Sequence, residues 1–124
     1  MDMTVKPAGA DCRAVSEILS RIGDKWTIQV VVALRPGPHR FNEIKRRVGG
    51  ISQQMLTRTL KALERDGMVE RTVHPDTPPR VEYALTPLGH SLAHSVKQLA
   101  EWATAHQKII QDNRLQYDAR VNPG

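Results

Sequence analysis

Three features, in chain order, predict the fold. A short helix, a glycine turn and a capped second helix are followed by two short strands around a proline-rich tip, and then by a long helix with a regular apolar seam. Together they predict an α+β fold, mainly α: a winged helix-turn-helix with a two-stranded β-hairpin wing and a long C-terminal dimerisation helix. The length agrees, since 124 residues suffice for one domain with a single modest core. The expected layout is a flexible arm over residues 1–10, the winged domain with its dimerisation helices over 11–113, and a flexible tail over 114–124.

The arm is polar and small, with Pro7 and Gly9. From Asp11 the pattern turns helical, with Val15, Ile18, Leu19 and Ile22 on one side and Gly23 as the stop. Asp24 can cap a second helix, DKWTIQVVVALRPG, which ends before Pro36 and Gly37. Taken alone, IQVVV suits a buried strand. The apolar length from Trp26 to Leu34, and the face shared by Trp26, Val30 and Ala33, favour a helix. Past the Pro36–Gly37 turn, Phe41, Ile44 and Val48 mark a short helix bearing Arg40, Lys45, Arg46 and Arg47, which Gly49 and Gly50 terminate.

The stretch ISQQMLTRTLKALERDG, Ile51 to Gly67, follows. Ser52 is a good N-cap, Ile51 and Leu56 occupy hydrophobic-staple positions, and Gly67 supplies the residue that turns left-handed most easily after a helix. Leu56, Leu60 and Leu63 form one apolar stripe. Gln54, Arg58, Lys61 and Arg65 point away from it, flanked by Gln53 and Thr57 near the N-terminal tip. Amides, a hydroxyl and cations suit major-groove base edges and phosphates, although a solvated face with Lys61 and Glu64 pairing locally has the same composition. The preceding short helix and glycine turn favour the first reading, because a helix-turn-helix places its second helix in the major groove.

MVERTV is the next strand, with imperfect alternation, then the tip HPDTPP, then RVEYAL, in which Val81, Tyr83 and Leu85 face one way and Arg80 and Glu82 the other. The prolines belong at the tip because they cannot donate to a ladder. Arg80, Arg71 and His74 flank that tip, where they either reach phosphate or the minor groove or remain ordinary exposed charges. Thr86 then caps a helix with Pro87 at its first position, running to about Asn113. Leu92, Val96, Leu99, Ala103, His106 and Ile110 are spaced 4, 3, 4, 3 and 4, a coiled-coil-like seam. So long an apolar seam on so small a domain is read as a homodimer interface, shared with the first helix; the alternative is an intramolecular core stripe.

Composition limits the function. Lys and Arg outnumber Asp and Glu by 18 to 13, a net charge of +5, which suits a polyanionic partner without requiring one. No apolar run approaches membrane-spanning length and the start lacks the organisation of a signal peptide, so a cytoplasmic protein is expected. One cysteine, Cys12, excludes an intrachain disulfide and an all-cysteine metal site. The common phosphate-loop, metalloprotease and hydrolase signatures are absent and the lone thiol has no evident histidine partner, so no enzyme and no cofactor are expected. His90 and His94, four apart, have the spacing for a metal shared with a partner chain, but no carboxylate or cysteine completes a set nearby and no metal is assigned.

Cys12, IGDKWT (22–27), RFNEIKR (40–46), GISQQMLTRTLKALERDGMVER (50–71) and PPRVEYALTPLG (78–89), in that order, make the chain resemble the HxlR family of bacterial winged-helix transcriptional regulators, which are similar to the MarR group. The resemblance spans about residues 12–110. It implies a dimer whose paired recognition helices bind a near-palindromic operator, with the wings on flanking backbone or minor groove. By matching position it makes Ser52, Gln53, Gln54, Thr57, Arg58 and Lys61, with Arg80 of the wing, the base- and phosphate-reading residues. A twofold dimer sets half-sites about 10 base pairs apart, roughly 34 Å centre to centre.

Some regulators of this family sense oxidants or electrophiles through the N-terminal cysteine. Here Cys12 sits at a helix start beside Arg13, where the helix dipole and that cation favour negative charge and Asp11 opposes it. A sensor and a plain packing cysteine are both consistent with this position, as is control by an unidentified small ligand. Arg13 departs from the proline that often follows the cysteine in similar members. A winged-helix module that binds protein is the remaining alternative, against which the outward face lacks an aromatic or aliphatic anchor.

Overall fold

A computed structural model describes residues 12–122. Helices α1 (Cys12–Ile22), α2 (Lys25–Leu34), α3 (Phe41–Val48) and α4 (Gln53–Arg65) precede strands β1 (Val69–His74) and β2 (Arg80–Leu85), and α5 (Pro87–Val121) ends the fold. The strands pair antiparallel, from Val69 opposite Leu85 to His74 opposite Arg80, as a hairpin. The winged helix-turn-helix read from the sequence is therefore present, while the arm over residues 1–10 lies outside the described residues.

Local chemistry sets the element ends. The Asp24 carboxylate accepts the N–H groups of Trp26 at 2.8 Å and Thr27 at 3.4 Å, which starts α2 as a helix in spite of its strand-like valine run. At α3 the N-cap is Arg40, whose side chain makes no cap; the Glu43 carboxylate reaches back instead and accepts the Arg40 N–H at 2.9 Å. That bond, the largest cause, holds the Glu43 carboxyl below its usual range, helped by nearby His39, Arg46 and Arg40. A depressed carboxylate stabilises the fold above its unfolded-state value, and the contribution is lost as pH falls through the folded value. Glu43→Ala is accordingly expected to reduce stability near neutral pH and to flatten its decline in the acid range, as read by thermal unfolding across pH.

The core lies where α2, α3 and α4 meet the base of the hairpin. Val30, Val31, Leu34, Ile44 and Leu56 are completely buried, with Leu60, Leu63, Val69 and Leu85 around them. Each such side chain contributes about 1.5–3 kcal/mol by leaving water. After α4, the N–H of Met68 donates to the Leu63 carbonyl at 2.9 Å and that of Gly67 to Glu64 at 3.0 Å, a Schellman ending that requires the +77° φ of Gly67. The chain then enters β1 directly.

Two long-range contacts join these parts. His39 and Tyr83 exchange both backbone hydrogen bonds at 2.9 Å, which fastens the lead-in to α3 to the wing. Thr86 caps α5 by accepting the Gly89 N–H at 3.1 Å, while its hydroxyl donates to the Gly67 carbonyl at 2.6 Å and its own N–H to Met68 at 3.0 Å. The first turn of α5 is thereby seated on the turn that follows α4.

The terminal helix corrects the sequence reading in one respect. It was expected to end near Asn113 with a frayed tail from residue 114, whereas α5 continues to Val121, 35 residues or about 52 Å. Arg114 to Val121 contains neither Gly nor Pro and is rich in good helix formers, so nothing stops the helix before Pro123. The seam had marked where apolar spacing stops, which is not where helical hydrogen bonding stops.

Candidate nucleic-acid interface

The recognition-helix candidate is fixed from behind by Leu56, Leu60 and Leu63, all buried, and from its tip by Ser52, whose hydroxyl oxygen accepts the Met55 N–H at 3.0 Å. The Ser52 hydroxyl proton remains available to donate outward. Ser52, Gln53, Gln54 and Thr57 line one shallow depression at the N-terminal end of α4. Ser52, Gln53, Gln54, Arg58 and Lys61 are exposed and Thr57 is half-buried. Arg58 also borders the groove toward α1, beside Ser20 and Asp24.

Arg80 stands apart from that set, at the wing. Its Nε lies 3.5 Å from an Asp76 carboxylate oxygen, an ion pair across the tip, and is shielded from solvent without a hydrogen bond. His74 Nε2 and Glu82 Oε1 are 2.6 Å apart on neighbouring strands. Arg71 is exposed. The wing thus carries one internal ion pair, Arg80 with Asp76 four residues away, and one histidine–carboxylate contact, His74 with Glu82, which depends on the register of the ladder.

The residues expected to form a dimer seam divide along α5. Leu92 packs on the domain's own core beside buried Ala93, Val96 is half-buried, and Leu99 and Ala103 are exposed. His106 and Ile110 are half-buried, and the His106 ring stacks on exposed Trp102 at 4.6 Å between centroids. Trp102, Ile109, Leu115, Tyr117 and Val121 continue the exposed apolar surface. On α1, no residue is buried in spite of the Val15, Ile18, Leu19, Ile22 stripe, and Ile18 and Leu19 are each 54% exposed.

The link from α1 to α4 is an ion pair. One guanidinium nitrogen of Arg21 spans both Asp66 carboxylate oxygens at 2.8 and 2.6 Å, which raises the Arg21 pKa further. The pair joins residues 45 apart in sequence, and no local pattern announces it. Between the same helices Ala14, Ile18, Ile22, Leu63, Met68 and Leu88 line a cleft of about 710 Å³. Cys12, at the first position of α1, is a free thiol of intermediate exposure. Among the described residues no three His, Cys, Asp or Glu side chains gather as a metal would need, and no helix is long and apolar enough to cross a membrane.

Known proteins share this architecture and sequence. The HxlR-like helix-turn-helix family model matches residues 21–111. The HTH-type transcriptional regulator YtfH of Escherichia coli is 45% identical over 86 residues, which cover 69% of this chain and 68% of that protein. The redox regulator HypR in its reduced form is similar at 38% identity with a TM-score of 0.72, over 80% of this chain and 98% of that one. Diamide-treated YodB of B. subtilis is similar at 37% identity with a TM-score of 0.68, over 77% of this chain and 94% of that one. With the helix-turn-helix and its wing in place, these matches identify the chain as a member of the HxlR-like helix-turn-helix family of transcriptional regulators.

Proposed function

We propose that this regulator acts as a homodimer that reads an inverted-repeat operator in double-stranded DNA with its two α4 helices. The observation that carries this reading is the tip of α4, where Ser52, Gln53, Gln54 and Thr57 share one concave, solvent-facing patch with Arg58 and Lys61 further along the helix. Glutamine amides match adenine, Arg and Lys match guanine or phosphate, and the Thr methyl matches thymine. Arg80 approaches flanking backbone or minor groove after exchanging Asp76 for phosphate. The dimer forms through the exposed seam of α5 together with the unburied stripe of α1, and no catalytic step is involved.

Arg58→Ala is expected to weaken operator binding by about 1–3 kcal/mol and to relax preference at one base pair, measured by titrating duplexes substituted at each position. Equal weakening on every sequence would reassign Arg58 to phosphate. A protein-binding module predicts no DNA preference at all in the same titration.

Cys12 is the proposed oxidant or electrophile sensor. It lies on a helix that contributes to the dimer, and HypR and YodB are a redox regulator and a diamide-treated relative. Because the chain has one cysteine, reversible oxidation by a diamide-type oxidant must join it to a second chain or to a small thiol. Diamide is expected to change operator affinity severalfold in the wild type and to leave Cys12→Ser unaffected. The same response in both proteins would reject the sensor and direct the search to a small ligand in the cleft under α1.

A further inference from the structure

We propose that the cleft between the start of α3 and the tip end of the wing seats one backbone phosphate of the bound duplex, held by Arg40 and Arg46. This rests on the DNA-binding reading above and adds a contact remote from α4. Arg40 at the N-cap and Phe41, Asn42, Glu43 and Arg46 of α3 line the cleft, and Pro79 and Val81 close it from the wing. Its walls hold their spacing because His39, next to Arg40, is bonded in both directions to Tyr83 of β2 at 2.9 Å.

Charge and local rule-breaking point to a phosphate. Two guanidinium groups face one carboxylate, and that carboxylate already accepts the Arg40 N–H at 2.9 Å. Both arginine side chains are exposed and neither guanidinium is hydrogen-bonded within the described residues. Arg46, in the last turn of α3, complements the helix dipole and would be ordinary alone. Arg40 is not ordinary. A cation at the positive end of a helix is unfavourable, its side chain supplies no cap, and Glu43 has to supply one instead. Local rules broken without structural gain are expected where a ligand is met. The ligand that two neighbouring cations and an amide beside a rigid apolar wall would take is a phosphodiester oxygen pair. Val81 adjoins Arg80, so this phosphate neighbours the wing contact and sets the wing's position on the duplex.

The test compares the full-length wild type, Arg40→Gln/Arg46→Gln and Arg40→Lys/Arg46→Lys on the duplex upstream of the protein's own gene and on a scrambled duplex of equal length. Affinities are read between about 50 and 200 mM salt, with circular dichroism to confirm folding. The glutamine pair is expected to lose about tenfold in affinity on both duplexes, to keep the wild-type ratio between them, and to show a salt slope shallower by about 1; the lysine pair keeps the wild-type slope. An unchanged slope in the glutamine pair, beside a wild type that prefers the upstream duplex, overturns the phosphate seat while leaving the recognition helix intact. A changed ratio with the slope preserved also overturns it, since the arginines would then read bases. A wild type without preference removes the DNA-binding reading, and the seat with it.

Discussion

Gly89→Ala is expected to destabilise the protein by about 3 kcal/mol, although alanine is ordinarily the better helix former by about 1 kcal/mol. A Cβ at residue 89 would stand 2.1 Å from the Met68 carbonyl oxygen and 3.1 Å from a Leu85 methyl. The carbonyl cannot step aside cheaply, because it accepts the Thr86 N–H at 3.0 Å and belongs to the turn that ends α4. Relief comes only by lifting the first turn of α5 from its seat, which loosens the helix assigned to dimerisation and the end of the recognition helix together. Chemical denaturation reads the loss directly. A variant as stable as the wild type would mean that α5 does not sit on that turn.

Leu99→Glu should have the opposite signature: little change in the protomer's own packing and a large loss of function. Leu99 is 62% exposed in the single chain, so the substitution removes few intrachain contacts. In a dimer built on the seam it buries a carboxylate at the helix–helix contact, which is disfavoured unless paired. The expected outcome is a folded monomer by sedimentation, with operator affinity reduced by about 10²–10⁴ because the second half-site no longer binds intramolecularly. A variant that stays dimeric with full affinity would place the interface elsewhere.

Much of the fold was legible because its signals are local. Asp24, Ser52, Gly67 and the Thr86–Pro87 pair each mark an element end through a bond made within a few residues, and the leucines of α4 disclose their buried side by spacing alone. The outward face of α4 was legible for the same reason, since it is the complement of the leucine stripe. Contacts made at long range were not legible. Nothing around Gly89 indicates that Met68 lies against it, nothing near His39 indicates Tyr83, and Arg21 and Asp66 meet only because α1 crosses the end of α4. The length of α5 was missed for another reason. Apolar periodicity reports packing partners, and the last turns of α5 are exposed among the described residues, so the helix outlasts its pattern. The poor N-cap at Arg40 was visible in the sequence as a basic residue before Phe41, but its meaning depends on the wing that faces it.

The central claim is that α4 reads a twofold operator, and nuclease footprinting of the wild-type protein on the DNA upstream of its own gene tests it most directly. The expected result is one protected inverted repeat with half-sites about 10 base pairs apart, occupied by a dimer, with affinity falling steeply as salt rises. Uniform weak protection, with no site preferred and Gln54→Ala and Arg58→Ala indistinguishable from wild type, would contradict it.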